Sequence, residues 1–93
     1  MTEIQTPKTT EHVTVFATTW CPFCKQLIAG LEDAGIPFDA WDVEEHDDLS
    51  EWVKSVNNGN RIVPTVLYSD GTTATNPPAE EVAAKYAELN SST

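Results

Sequence analysis

His12-Val13-Thr14-Val15-Phe16-Ala17-Thr18-Thr19-Trp20-Cys21-Pro22-Phe23-Cys24-Lys25-Gln26-Leu27-Ile28 is the stretch that decides the architecture. Val13 and Val15 stand in β-branched company, which predicts a strand over residues 12–17. Thr18, Thr19 and Trp20 make the connection. Pro22 suits the first turn of a helix, where its missing N–H costs nothing. The helix runs on to Ala34, because Cys24, Leu27, Ile28 and Leu31 follow the i, i+3, i+4, i+7 spacing of one buried face. Gly35 stands where a C-terminal cap is needed, and Pro37 follows shortly after.

Working outward, residues 38–43 alternate roughly and predict a second strand. The acidic run Glu44-Glu45-His46-Asp47-Asp48 leads into a second helix over 49–56, with Leu49, Trp52, Val53 and Val56 inward. Acids at a helix start complement its dipole. Asn57-Asn58-Gly59-Asn60 is a turn cluster. Residues 64–68 predict a third strand, Ser69-Asp70-Gly71 a hairpin turn, and 72–75 the returning edge strand. Asn76-Pro77-Pro78 breaks the chain before a last helix over 79–89, with Val82, Ala83, Tyr86 and Leu89 inward. The order β-α-β-α-β-β-α predicts an α/β fold: a right-handed βαβ unit with parallel strands, then an antiparallel hairpin. The sheet is mixed and four-stranded, with three helices packed on its faces. Residues 1–11 are expected to form a flexible N-terminal arm, 12–90 the single domain, and 91–93 a frayed end.

The 93 residues carry 15 Asp and Glu against 5 Lys and Arg, a net charge of -10. That balance argues against nucleic acid and against anionic membrane surfaces, both of which need clustered cations. No apolar run approaches the ~20 residues needed to span a bilayer. The first residues are polar, without the apolar segment of a secretory signal, so a reducing cytoplasm is the expected location. Both cysteines lie in one Cys-x-x-Cys. They would close only a tiny loop and make a poor staple, so catalysis or metal binding explains them better.

A thiolate, not a thiol, is the nucleophile in disulfide exchange. Cys21 is predicted at a helix N-terminus, where unpaired N–H groups and a positive partial charge lower a thiol pKa from ~8.5 into the range of about 3.5–7.5. Cys24 lies one turn further in, placed to attack a mixed disulfide on Cys21. Lys25 adds a cation. A zinc site needs four ligands, and the spacing of His12 and His46 recommends neither as one, so no metal is expected. Ile62-Val63-Pro64-Thr65 has two readings. One is plain punctuation at a strand start. The other is a cis proline that presents the Val63 backbone to an extended thiol ligand. Arg61 is open to a carboxylate of a bound thiol or to a surface acid. Trp20 and Phe23 form an apolar rim, or Trp20 anchors its loop. Trp41 and Trp52 are read as core or half-buried packing, the 44–48 run as a solvated helix start, and His12 and His46 as surface or strand-edge residues.

Trp20-Cys21-Pro22-Phe23-Cys24 and Val63-Pro64 resemble the active-site elements of the glutaredoxin branch of the thioredoxin superfamily, over roughly residues 12–89. The resemblance implies a thioredoxin-like fold, a nucleophilic Cys21, a resolving Cys24 and a cis Pro64. The run Ser55-Val56-Asn57-Asn58-Gly59-Asn60-Arg61-Ile62-Val63-Pro64-Thr65-Val66, with Asp70-Gly71 and Thr75-Asn76-Pro77, is similar to actinobacterial mycoredoxins. These use mycothiol in place of glutathione. Glutaredoxins usually carry Gly-Gly and an acid where this chain has Thr75-Asn76-Pro77-Pro78, and that departure fits a different small thiol. The implied function is reduction of mixed disulfides between proteins and mycothiol (demycothiolation). Trp20, Phe23, Arg61, Val63, Pro64, Thr75 and Asn76 would contact substrate. Mycothiol is the reducing co-substrate, with no tightly bound cofactor. The implied partners are S-mycothiolated or disulfide-containing proteins, met by a monomer. The rival readings are a dithiol donor to ribonucleotide reductase, recharged by thioredoxin reductase, and a glutaredoxin-type iron–sulfur carrier. Pro22 stiffens the active-site turn and counts against the carrier.

Overall fold

The computed structural model describes residues 11–91. Its elements are β1 (Val13–Ala17), α1 (Pro22–Asp33), β2 (Asp39–Asp42), α2 (Asp47–Val56), β3 (Thr65–Tyr68), β4 (Thr73–Thr75) and α3 (Ala79–Ser91). The expected arm at 1–11 and frayed end at 91–93 fall outside the described residues, save for Glu11 and for Ser91, which closes α3.

The strands form one sheet in the order β2-β1-β3-β4. β1 runs parallel to β2 across the α1 crossover and antiparallel to β3, so that Val15 lies opposite both Ala40 and Val66. β3 and β4 form the antiparallel hairpin, with Thr65 opposite Thr75. This is the mixed sheet expected from the element order, and it is the thioredoxin-like fold that the resemblance implies.

β1 is buried along its whole length because helices cover both faces. Val13, Val15 and Ala17 pack with Leu27 and Leu31 of α1, Val66 of β3, and Val82 and Leu89 of α3. Phe16 belongs to the opposite cluster, with Val43, Leu67, and Trp52 and Val53 of α2. The Phe16 and Trp52 rings lie 5.0 Å apart, tilted. Each large side chain buried in this way contributes ~1.5–3 kcal/mol.

α1 ends as Gly35 predicts. At φ +71, Gly35 donates its N–H to the Glu32 carbonyl, and Ile36 donates to the Leu31 carbonyl. This is the paired bonding that satisfies the last carbonyls of a helix. Gly30 has a different use: a Cβ there would lie 2.6 Å from the Ala79 Cβ. Its bare backbone lets the start of α3 close against α1, and this sets the place of the Asn76-Pro77-Pro78 segment just before it.

Three expectations shift. α2 starts at Asp47, so Asp47 and Asp48 form its first turn and complement the dipole directly. Val56 is exposed, not inward; at this end of α2 the buried position is taken by the next residue, Asn57. Of the two tryptophans read as packing, Trp52 is core, whereas Trp41 on the edge strand β2 is 44% exposed and meets His46 edge-on. Among the described residues no helix is long and apolar enough to cross a membrane.

Candidate active site

Cys21 occupies the N-cap of α1, with extended backbone (φ -80, ψ 116). Its carbonyl accepts the first helical bond, from the Lys25 N–H at 3.1 Å. Pro22 follows as N1 and has no N–H to satisfy, so Phe23 and Cys24, at N2 and N3, carry the first free donors. Asp or Ser usually caps such donors through a side-chain oxygen. Here the neutral thiol makes no capping bond, but an ionised sulfur fills the same role. Burial raises the Cys21 pKa. The Cys24 N–H, the Cys24 thiol and the Phe23 N–H lower it by more, and the net shift is downward. Cys24 goes the other way. Burial pushes it up to about 12, and the hydrogen bond and charge of Cys21 add to the rise. Both thiols are free and both are buried, Cys21 at 4% and Cys24 at 1% exposure.

The Val63–Pro64 peptide is cis, the sharper of the two sequence readings. The Cys21 Sγ donates to the Val63 carbonyl at 3.8 Å. The Pro64 carbonyl accepts from the Asn76 N–H at 2.7 Å, with Asn76 held at φ +47. A groove of about 360 Å³ is lined by Phe23, Gln26 and Leu27 on α1 and by Asn76, Pro77 and Pro78 opposite; it borders the site through Phe23, two residues after Cys21, and Asn76, bonded to Pro64. The fold therefore brings Phe23 and Asn76 together across one groove, next to Cys21, Val63 and Pro64.

Thr75 is turned elsewhere. Its Oγ1 donates to the Asn57 Oδ1 at 2.6 Å. Asn57 is buried, and its amide donates to the Val53 carbonyl at 2.8 Å and to the Thr65 Oγ1 at 3.1 Å. Thr65 in turn donates to the Ile62 carbonyl at 2.7 Å. One side chain thus caps the end of α2 and ties it to β3, to β4 and to the loop that carries Val63. Read from sequence, Asn57 was only part of a turn cluster. The available signal is its place directly after an amphipathic helix, where a polar side chain reaches the last carbonyls; the left-handed cap position falls to Asn58, at φ +57.

Trp20 and Arg61 meet through Glu44, which the sequence places in a solvated acidic run. The Trp20 Nε1 donates to the Glu44 Oε1 at 2.9 Å, and the Arg61 Nη2 lies 3.8 Å from the Glu44 Oε2. Trp20 and Phe23 are 61% and 57% exposed, so the two aromatics flank Cys21 at the surface. Among the described residues no group of three or more His, Cys, Asp or Glu could hold a metal ion.

Comparison with known proteins bears on this arrangement. The family model for glutaredoxin matches residues 13–72. Mycoredoxin 1 of Corynebacterium glutamicum is 58% identical over 78 residues, covering 84% of this chain and 96% of that protein. Among solved structures, the glutaredoxin of Archaeoglobus fulgidus superposes with a TM-score of 0.62 at 24% identity, covering 80% of this chain and 84% of that one. The thioredoxin-like protein BC3987 gives 0.66 at 18%, covering 78% and 97%. At such identities the structural likeness speaks to the fold alone.

Proposed function

The chain belongs to the glutaredoxin family, and on that premise we propose that this thiol–disulfide oxidoreductase reduces mixed disulfides between proteins and mycothiol. The Cys21 thiolate attacks the mycothiol sulfur of the protein–mycothiol disulfide. A Cys21–mycothiol disulfide forms, and the protein thiol leaves. A second mycothiol then attacks that bond, returning Cys21 and releasing mycothiol disulfide. In the alternative branch Cys24 attacks the Cys21 sulfur, expels mycothiol and leaves a Cys21–Cys24 disulfide.

The observation that carries this reading is the opposite treatment of two thiols one helical turn apart. Cys21 is lowered by N-terminal donors and Cys24 is raised by burial. One is prepared to attack and to leave as thiolate; the other stays protonated until an intermediate forms. The Val63 backbone beside the cis proline would pair with an extended ligand, with Phe23 and Asn76 on either side of it. Mycothiol is a sugar conjugate rich in hydroxyls, and a neutral Asn suits it better than a charge-binding nest. The likeness to Mycoredoxin 1 supports the same thiol. The enzyme would act as a monomer in the cytoplasm.

The test supplies one protein mixed-disulfide substrate in mycothiol and glutathione forms, each with its own reductase system. Faster turnover with mycothiol is expected. Equal or faster turnover with glutathione would sink the assignment of the thiol, and no turnover with either would sink the reaction.

A further inference from the structure

Glu44 uses its two carboxylate oxygens on two different loops. Oε1 holds the indole of Trp20, the residue before the nucleophile, at 2.9 Å. Oε2 faces Arg61, on the loop that leads to Val63 and Pro64, at 3.8 Å. We propose that Glu44 is a specificity-determining residue: it neutralises Arg61 at the mouth of the site and so favours an uncharged small thiol over one that carries carboxylates. The inference rests on the function proposed above.

A guanidinium is a ready receptor for carboxylate, since its planar fork presents paired donors. An uncovered Arg beside a reactive thiol would draw in anionic thiols such as glutathione. The other cations among the described residues are differently placed. Lys54 pairs with Glu51 and Lys85 with Asp70. Lys25 has no ion pair among the described residues and acts on any anion equally, whether or not Glu44 is present. With Arg61 covered, an anionic thiol meets a protein of net charge -10, and Asp42, Glu45, Asp47 and Asp48 stand close along the chain to Glu44. Discrimination here works by withholding an attraction from the wrong ligand, as specificity often does. The pair is exposed, at 36% for Arg61 and 40% for Glu44, so it adds little to folding stability and is open to salt screening.

Glu44→Gln separates charge from shape, because the amide oxygen still accepts from the Trp20 indole. The measurement is kcat/KM for one peptide as its glutathione and its mycothiol mixed disulfide, at low and high ionic strength. In Glu44→Gln the glutathione-to-mycothiol ratio should rise about two- to fivefold at low salt, the range of an exposed ion pair. The rise should shrink at high salt, and it should vanish in Glu44→Gln/Arg61→Gln. An unmoved ratio, or a gain that survives removal of Arg61, overturns the role of Glu44 alone. If the unsubstituted protein turns over neither disulfide, the proposed function falls and this inference falls with it.

Discussion

One wall beside Cys21 is the inner side of the chain from Asn57 to Thr65, fixed by hydrogen bonds made inside the protein: Asn57, only 7% exposed, bonds Val53 and Thr65, and Thr65 bonds Ile62. The other is a rim at the solvent, where Glu44 joins Arg61, on that same stretch of chain, to Trp20. Both walls are polar and both frame the same sulfur, yet their energetics differ. Breaking a buried bond strands its partners and costs about 1–3 kcal/mol, whereas an exposed pair is worth ~0–1 kcal/mol. The wall that brings the Val63 carbonyl to the thiol is thus the stiff one. The rim that a ligand meets first can change without threatening the fold.

The largest effect touches neither wall. Cys21→Ser should reduce mixed-disulfide turnover to background, because the remaining thiol, Cys24, is buried and held protonated; thermal unfolding should stay close to that of the parent. Cys24→Ser should retain mycothiol-dependent turnover if the monothiol branch operates. Loss of activity in both variants would instead make the dithiol branch obligatory.

The comparison of walls is tested directly by stability. Asn57→Ala removes bonds to Val53, Thr65 and Thr75 together. It should lower stability by roughly 2–3 kcal/mol, or on the order of 10 °C in Tm for a domain of this size. Glu44→Gln should shift stability by no more than about 0.5 kcal/mol. Equal shifts in the two variants, read by thermal melts, would break the contrast.

Local chemistry made most of the fold and the reactive centre readable. Pro22 after a strand, Gly35 after a helical stripe and Asp70-Gly71 between strands each act through their own backbone, and each stands where expected. The Cys21–Cys24 spacing fixes a relation within one helical turn. What escaped the sequence depends on partners far along the chain. Asn57 meets Thr75 and Glu44 meets Trp20 only once the sheet is assembled, and no periodicity announces either pairing. Gly30 has the same character, since its bare Cα is explained only by Ala79 of another helix. Val56 shows the limit of the stripe argument: periodicity says which side of an element is apolar, but not where the neighbouring layer stops covering it.

Titration sharpens the contrast at the sulfur itself. Thiolate absorbance of the reduced protein should rise in two separated steps. The first, below the ordinary thiol value, should be missing in Cys21→Ser. The second, near 12, should move down in the same variant, because the Cys21 hydrogen bond and charge help to hold Cys24 protonated. The linked stabilities have opposite signs. The Cys21 contribution is present above the ordinary thiol pKa and is lost as pH falls through its lowered value. The Cys24 contribution is present below the ordinary value and is lost as pH rises toward about 12. A single merged step would remove the proposed division between attacking and resolving thiol.

The smallest effect concerns the groove, where the stiff wall meets the ligand. Thr75 and Asn76 are neighbours with different duties. Thr75→Ala deletes the bond to Asn57 and acts first on stability, by about 0.5–1.5 kcal/mol. Asn76 lines the groove, but at φ +47 an alanine would add backbone strain of about 1–2 kcal/mol and confuse the reading. Glycine adopts that conformation freely and keeps the N–H that bonds the Pro64 carbonyl. Asn76→Gly therefore removes the side chain alone. One or two lost neutral hydrogen bonds, each about 0.5–1.5 kcal/mol, should lower turnover of a mycothiol mixed disulfide several-fold relative to that of a small generic disulfide, with Tm held. Parallel loss on both substrates would show that Asn76 shapes the mouth without reading the thiol.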